Sequence, residues 1–215
     1  MKKNKKNGTF RQQKENFVVF IYNMAKDELI QMSEKELVKG CIAGKEKYQN
    51  LLYQRFAGWV MNSCLRYTNS KEDAEDILQE IFIKIFLNLH QFKFDSSLWY
   101  WIKKLTINVL SVKLRKTVKK EARKLSVSID ESRAEISPVM VNEGPDIPME
   151  VLLTMIQNLP DGYRTVFNMK EIDDYDFQAI ADRLQCTNAT VRSQLFKAKN
   201  TLKKNIDNWI KKEYR

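Results

Sequence analysis

From Asp73 onward, Ile77, Leu78, Ile81, Phe82, Ile85, Phe86 and Leu89 recur at the spacing of one helix face, and this run constrains the fold most. Apolar residues three and four apart line a single stripe on an α-helix, whereas a half-buried strand alternates at every second residue. Ser70 stands where a hydroxyl can accept from the orphan amides of a first turn. Glu72, Asp73, Glu75 and Asp76 follow, where the helix dipole favours anions.

The neighbouring segments read the same way. Ser33 and Glu36 form an S-x-x-E capping box, which predicts a helix through Leu37, Val38, Cys41 and Ile42 that ends near Gly44. Leu51, Leu52, Phe56, Val60, Cys64 and Tyr67 share a stripe in a helix from about Lys47 to Tyr67. A further helix starts at Ser96 or Ser97 and carries Leu98, Trp101, Ile102, Leu105 and Val109. No strand pattern and no internal repeat is present, so the chain is expected to be all-α.

The helical pattern is interrupted twice. Residues 1–32 open with Lys2, Lys3, Lys5 and Lys6 and carry no long periodicity, so they read as a basic, disordered extension. The basic run from Arg115 to Lys124 leads into a polar, acidic stretch containing Pro138, Gly144, Pro145 and Pro148. Those residues break helices, so 118–148 reads as a flexible linker between blocks at 33–117 and 149–212.

Composition narrows the function classes. With 37 Lys and Arg against 27 Asp and Glu, the formal charge of the 215 residues is +10. That suits a polyanion partner, although a solubilising surface has the same signature. Cys41, Cys64 and Cys186 are odd in number and far apart, which fits reduced thiols and not a disulfide framework or zinc site. His90 is the single histidine, so no His-based metal cluster or triad can form; no P-loop occurs either. Nothing calls for a metal, a cofactor or an enzyme. The apolar stretch Phe17 to Tyr22 is short and lacks a small-residue cleavage site, so the chain is expected to be cytoplasmic.

The C-terminal block carries the sharpest motif. Asp176 can cap a short helix containing Phe177, Ile180, Ala181 and Leu184. After a break at Gln185 and Cys186, Thr187 can cap a second helix with Val191, Leu195, Ala198 and Leu202 on its inner stripe. Arg192, Gln194, Lys197 and Lys199 are expected on its outer face. Two helices joined by a tight turn, the second faced with amide and cationic donors, describe a DNA-binding helix-turn-helix. A plain helical hairpin with solvated lysines has the same spacing.

The wording of the block goes further. Leu159, Pro160, Arg164, Val166 and Phe167, followed by Ile180, Ala181, Leu184, Thr190, Val191, Ser193, Leu195 and Ala198, closely resemble the minus-35 reading domain of the sigma-70 family. The resemblance implies DNA contacts by Arg192, Ser193, Phe196 and Lys197, with Thr187, Asn188 and Thr190 nearby at the helix start. The chain departs from the family pattern at Gln185 and Ala189, where glycine is usual, and at Gln194, where arginine is frequent.

The front block resembles the same family. Asp73, Ala74, Glu75, Asp76, Gln79 and Glu80, with Phe82 following, match its polymerase-gripping helix. By that resemblance Asp73, Asp76, Gln79, Glu80 and Ile83 bind the beta-prime clamp of bacterial core RNA polymerase. The stretch beyond is similar to the part that captures the minus-10 element and promotes melting. It implies Gln91, Phe92, Lys93, Asp95 and Ser96 in a loop, and Lys104, Asn108 and Arg115 on the helix after it. Trp101 matches a core position, which leaves Trp99 and Tyr100 as the rings for DNA. Phe94 stands where glycine is common and Val112 where aspartate is frequent.

In this order, the two blocks imply a sigma factor of the extracytoplasmic-function subfamily. Its expected form is a sigma-2-like helical bundle and a sigma-4-like helix-turn-helix, with promoter DNA and core polymerase as partners. The resemblance also implies an anti-sigma factor, membrane-bound in many relatives. The alternative is a helix-turn-helix regulator that binds duplex DNA and never joins polymerase.

Overall fold

The computed structural model describes residues 32–125 and 147–213, and of 121–125 the backbone alone. Most of the expected extension and linker therefore lies outside the described residues, including the acidic Asp130, Glu131, Glu135, Glu143 and Asp146.

All regular structure among the described residues is helical. In chain order the helices are α1 (Glu34–Ile42), α2 (Glu46–Tyr67), α3 (Lys71–Asn88), a 3-10 turn (Leu89–Gln91) and α4 (Leu98–Leu125). Then come α5 (Met149–Gln157), α6 (Asp161–Phe167), a π-helical turn (Asn168–Ile172), α7 (Phe177–Leu184) and α8 (Asn188–Glu213). Their starts obey side-chain chemistry. Ser33 Oγ accepts from the Glu36 amide, Ser70 Oγ from Asp73, Ser97 Oγ from Tyr100, Asp176 Oδ1 from Ala179 and Thr187 Oγ1 from Thr190. Each satisfies an amide that the helix itself leaves unpaired.

One helix is longer than its apolar pattern predicts. α4 continues through the basic run to Leu125, past residue 117 where the linker was expected to begin. Lys, Arg and Ala are good helix formers, and no Pro or Gly interrupts Arg115 to Leu125.

The described residues gather into two compact units: 32–58 with 82–101, and 59–81 with 102–125 and 147–213. The first buries Leu37, Val38, Cys41, Leu51, Leu52, Phe56, Phe82, Ile85, Leu89, Phe92 and Leu98. Its start is pinned by Glu34, whose carboxylate accepts from the Leu98 amide at 3.0 Å and so caps α4 from a distance. Gly40 is obligatory there, because a Cβ would fall 2.2 Å from the Tyr48 ring.

The second unit takes in helices from both halves of the sequence. Val60, Cys64, Tyr67, Ala74, Ile77, Ile81, Ile102, Ile107 and Leu110 are buried in it. Its C-terminal part packs Met155 and Leu159 against Ala198 and Leu202, with Val151, Tyr163, Phe167 and Trp209 around them. Val191, Leu195, Ala198 and Leu202 form the inner stripe of α8 as the spacing predicts.

Candidate functional site

The acidic face of α3 follows from its buried one. Ala74, Ile77, Leu78 and Ile81 turn inward, which leaves Asp73, Asp76 and Gln79 exposed. Glu80 is half-buried and accepts from Lys113 Nζ of α4 at 3.0 Å. One turn on, Ile83 and Leu87 are exposed large apolar residues, which a helix facing only solvent has no reason to carry.

The loop after α3 is held from below. Phe92 is 6% exposed, its ring 4.7 Å from that of Phe94 and 5.8 Å from that of Trp101. In this state the Phe92 ring anchors the loop and is not open to a base. Gln91, Lys93, Asp95 and Ser96 are exposed, and Gln91 donates to Asn88 Oδ1 at 3.2 Å. Phe94 has φ of 61°, a left-handed conformation that glycine adopts without strain. This explains why its position in the motif suits glycine. Trp99 and Tyr100 are both well exposed, while Trp101 packs on Phe92.

Along α4, Lys104 and Asn108 are exposed one turn apart, and Val112 continues the row. Arg115 is half-buried, and its Nε donates to the Arg183 carbonyl at 3.2 Å.

In the helix-turn-helix, Gln185 provides the turn at φ 52° and ψ 50°, the left-handed position that ends many helices. Thr187 caps α8 and its hydroxyl lies 2.9 Å from that of Thr190. Asn188 donates to Gln178 Oε1 at 2.7 Å. Arg192 is exposed, with its guanidinium 4.2 Å above the Phe177 ring. Ser193, Phe196 and Lys197 are half-buried. Lys199 forms an ion pair with Glu171 at 3.0 Å.

Gln194 corrects the sequence reading. It is fully buried, not on the outer face. It lies three residues after Val191 and four before Ala198, and both of those point inward, so helical geometry carries it onto the same stripe. Neither of its amide atoms has a hydrogen-bond partner among the described residues.

A polar network lies beyond what sequence reasoning finds. Arg164, Asn168 and Asp173 are buried beside the C-terminal end of α2. The Tyr67 phenol donates to Asp173 Oδ2 at 2.7 Å, and Arg66 lies 3.5 Å from Oδ1. Burial chiefly drives the Asp173 carboxyl above its ordinary range, and burial with the nearby carboxylate lifts the Tyr67 phenol well above its own. The one signal of it in the sequence is Arg164 in the L-P-x-x-x-R motif.

Cys41 and Cys64 are buried and Cys186 is half-buried. Burial pushes the Cys41 thiol up to about 11 and that of Cys64 up to about 12. Among the described residues no cluster could hold a metal ion, and no helix is long and apolar enough to cross a membrane.

Two family models match the chain: Sigma-70 region 2 over residues 52–120 and Sigma-70, region 4 over residues 149–202. The chain is 24% identical to the ECF RNA polymerase sigma-E factor of Haemophilus influenzae, over 82% of its own length and 96% of the relative's. It is 25% identical to the RNA polymerase sigma-H factor of Pseudomonas aeruginosa, covering 82% and 95%. The figures for the ECF RNA polymerase sigma-E factor of Escherichia coli are 25%, 85% and 98%. Among solved structures, the sigma factor RpoE in complex with the anti-sigma factor NepR from Bartonella quintana aligns with a TM-score of 0.47 at 15% identity, covering 74% and 96%.

Proposed function

Because the chain belongs to the sigma-70 family of RNA polymerase sigma factors, in its extracytoplasmic-function subfamily, we propose a division of labour among its surfaces. Asp73, Asp76, Gln79, Glu80 and Ile83 of α3 meet the basic clamp of core polymerase. An exposed carboxylate row with an apolar residue one turn on offers both steering and burial to such a partner.

The minus-10 element falls to Gln91, Lys93, Asp95 and Ser96, with Phe92 holding the loop from beneath. Lys104, Asn108 and Arg115 hold the strand. Capture of an unstacked base needs polar groups for its edge and exposed rings for stacking, and Trp99 and Tyr100 supply the rings. The minus-35 element falls to Thr187, Asn188, Thr190, Arg192, Ser193, Phe196 and Lys197. Phosphate contacts give affinity by releasing counterions, and a few base-edge contacts give selection.

Residues 33–117, with the end of α4 to Leu125, form the polymerase and minus-10 module, 149–212 the minus-35 module, and the rest of 118–148 the tether. The chain acts in the cytoplasm by binding and not by catalysis. An anti-sigma factor is its regulatory partner, as NepR is the anti-sigma factor bound to RpoE in the Bartonella quintana complex.

The observation that carries the reading is the succession of region 2 and region 4 in a chain spanning nearly the whole length of its relatives. A free-standing helix-turn-helix regulator has no use for region 2. Gel-shift assays test the choice: the chain alone should bind promoter DNA weakly and should bind it tightly once core polymerase is added. Tight duplex binding by the isolated chain, unaffected by polymerase, would favour the regulator instead.

A further inference from the structure

The two helices of the helix-turn-helix meet at an aromatic ring. Asp176 Oδ1 accepts from the Ala179 amide at 2.7 Å and so fixes where α7 begins. Phe177 is the first residue after that cap, and it is half-buried. Arg192 follows the fully buried Val191 on α8. Its guanidinium lies 4.2 Å from the centre of the Phe177 ring.

A hydrogen bond holds the register of this stack. Asn188 Nδ2 donates to Gln178 Oε1 at 2.7 Å; Gln178 follows Phe177, and Asn188 lies one turn before Arg192. Lys170 of the π-helical turn brings a second cation, its Nζ 5.2 Å from the same ring centre.

A guanidinium is flat and carries its N–H donors in its own plane. A face laid on a ring therefore leaves the donor edge open. Arg192 is exposed, and among the described residues no carboxylate or carbonyl takes up its donors. An arginine already held in one rotamer loses less freedom when it binds.

We propose that Phe177 is a positioning residue for minus-35 recognition. Its ring holds Arg192 in one orientation and presents the guanidinium edge to two acceptors in one plane. Those acceptors are O6 and N7 of a guanine or two oxygens of a phosphate. Phe177 acts through Arg192, and the proposal rests on the reading of α8 as the minus-35 helix.

The full-length chain, assembled with bacterial core RNA polymerase, tests this on a duplex promoter that the wild-type holoenzyme selects from randomised sequences. Phe177→Leu and Phe177→Met keep apolar bulk and lose the ring, whereas Phe177→Tyr keeps it. Each is measured with Arg192 in place and again combined with Arg192→Ala. With Arg192 in place, Phe177→Leu and Phe177→Met should weaken binding about threefold, the size of an exposed cation–π contact. Combined with Arg192→Ala they should cause no further loss. Phe177→Tyr should bind as the wild type does.

An equal loss in both backgrounds would assign the ring to packing or to Lys170 and overturn the proposal, as would unchanged binding in the Phe177→Leu and Phe177→Met chains. Wild-type binding by Arg192→Ala alone, or a holoenzyme that selects no promoter, overturns the minus-35 reading itself. Independently, Arg192→Lys keeps the charge and gives up the flat face, so it should also weaken binding; wild-type affinity there contradicts the stack. Base changes in the minus-35 element then locate the acceptors. A loss confined to one guanine places them on the base, and a uniform loss with a salt slope lower by about one places them on a phosphate.

Discussion

The Tyr67 hydroxyl and the Asp173 carboxylate, 106 residues apart in sequence, meet at 2.7 Å with both side chains buried. The groups facing Asp173 are the Tyr67 phenol and Arg66 from α2 and Lys103 from α4, and Tyr175 faces the phenol. The phenol keeps its proton at neutral pH because its titration lies well above the ordinary range, so it is a dependable donor.

That pair makes the stability of the fold depend on pH. Burial is the first cause of the raised Asp173 titration, ahead of the lowering effects of the Tyr67 hydrogen bond and of Arg66 and Lys103. A group whose titration is raised in the folded state stabilises that state fully below its unfolded value, and the contribution fades as pH rises through the raised value. The stability read from thermal unfolding should therefore lose this contribution as pH climbs from acid to neutral. Asp173→Asn should remove the dependence. A pH response that survives in this variant would assign it to another group.

Polymerase docking predicts a separation of binding from stability. Asp76→Lys with Glu80→Lys should abolish co-purification with core polymerase. Asp76 is exposed, and the Glu80–Lys113 pair is half-exposed on both sides. Exposed pairs contribute about 0–1 kcal/mol, so thermal unfolding should move by a few degrees at most. Retained co-purification would remove this face from the interface.

The minus-35 helix predicts the opposite separation. Gln194 is buried with both amide atoms unpaired. An unsatisfied buried polar group costs about 1–3 kcal/mol. Gln194→Met, close in volume, should raise the melting temperature and leave minus-35 recognition intact. Arg192→Ala, at an exposed position, should weaken binding to promoters that rely on the minus-35 element and leave stability nearly unchanged. Melting curves and promoter binding of the two variants check both statements.

These contrasts mark what the sequence can reveal. Ser33, Ser70, Ser97, Asp176 and Thr187 are legible as caps because the interaction spans three residues. The stripes of α2 and α3 are legible because helical spacing alone decides which side faces inward. Gln194 is misplaced when its polarity is weighed above its position three residues after Val191. The far end of α4 is hidden because a basic run without apolar spacing looks like linker. Of the polar network at the end of α2, only Arg164 leaves a trace in the sequence. The network pairs Leu65, Arg66 and Tyr67 with Gln157, Asn168 and Arg164, and no local rule connects such distant residues.

The most direct measurement is transcription from a library of randomised promoters by purified core RNA polymerase, with and without the full-length chain. Adding the chain should start transcripts from a subset of templates sharing two spaced motifs, one at each promoter element. Identical transcript profiles with and without the chain, under conditions where it is folded, would contradict it.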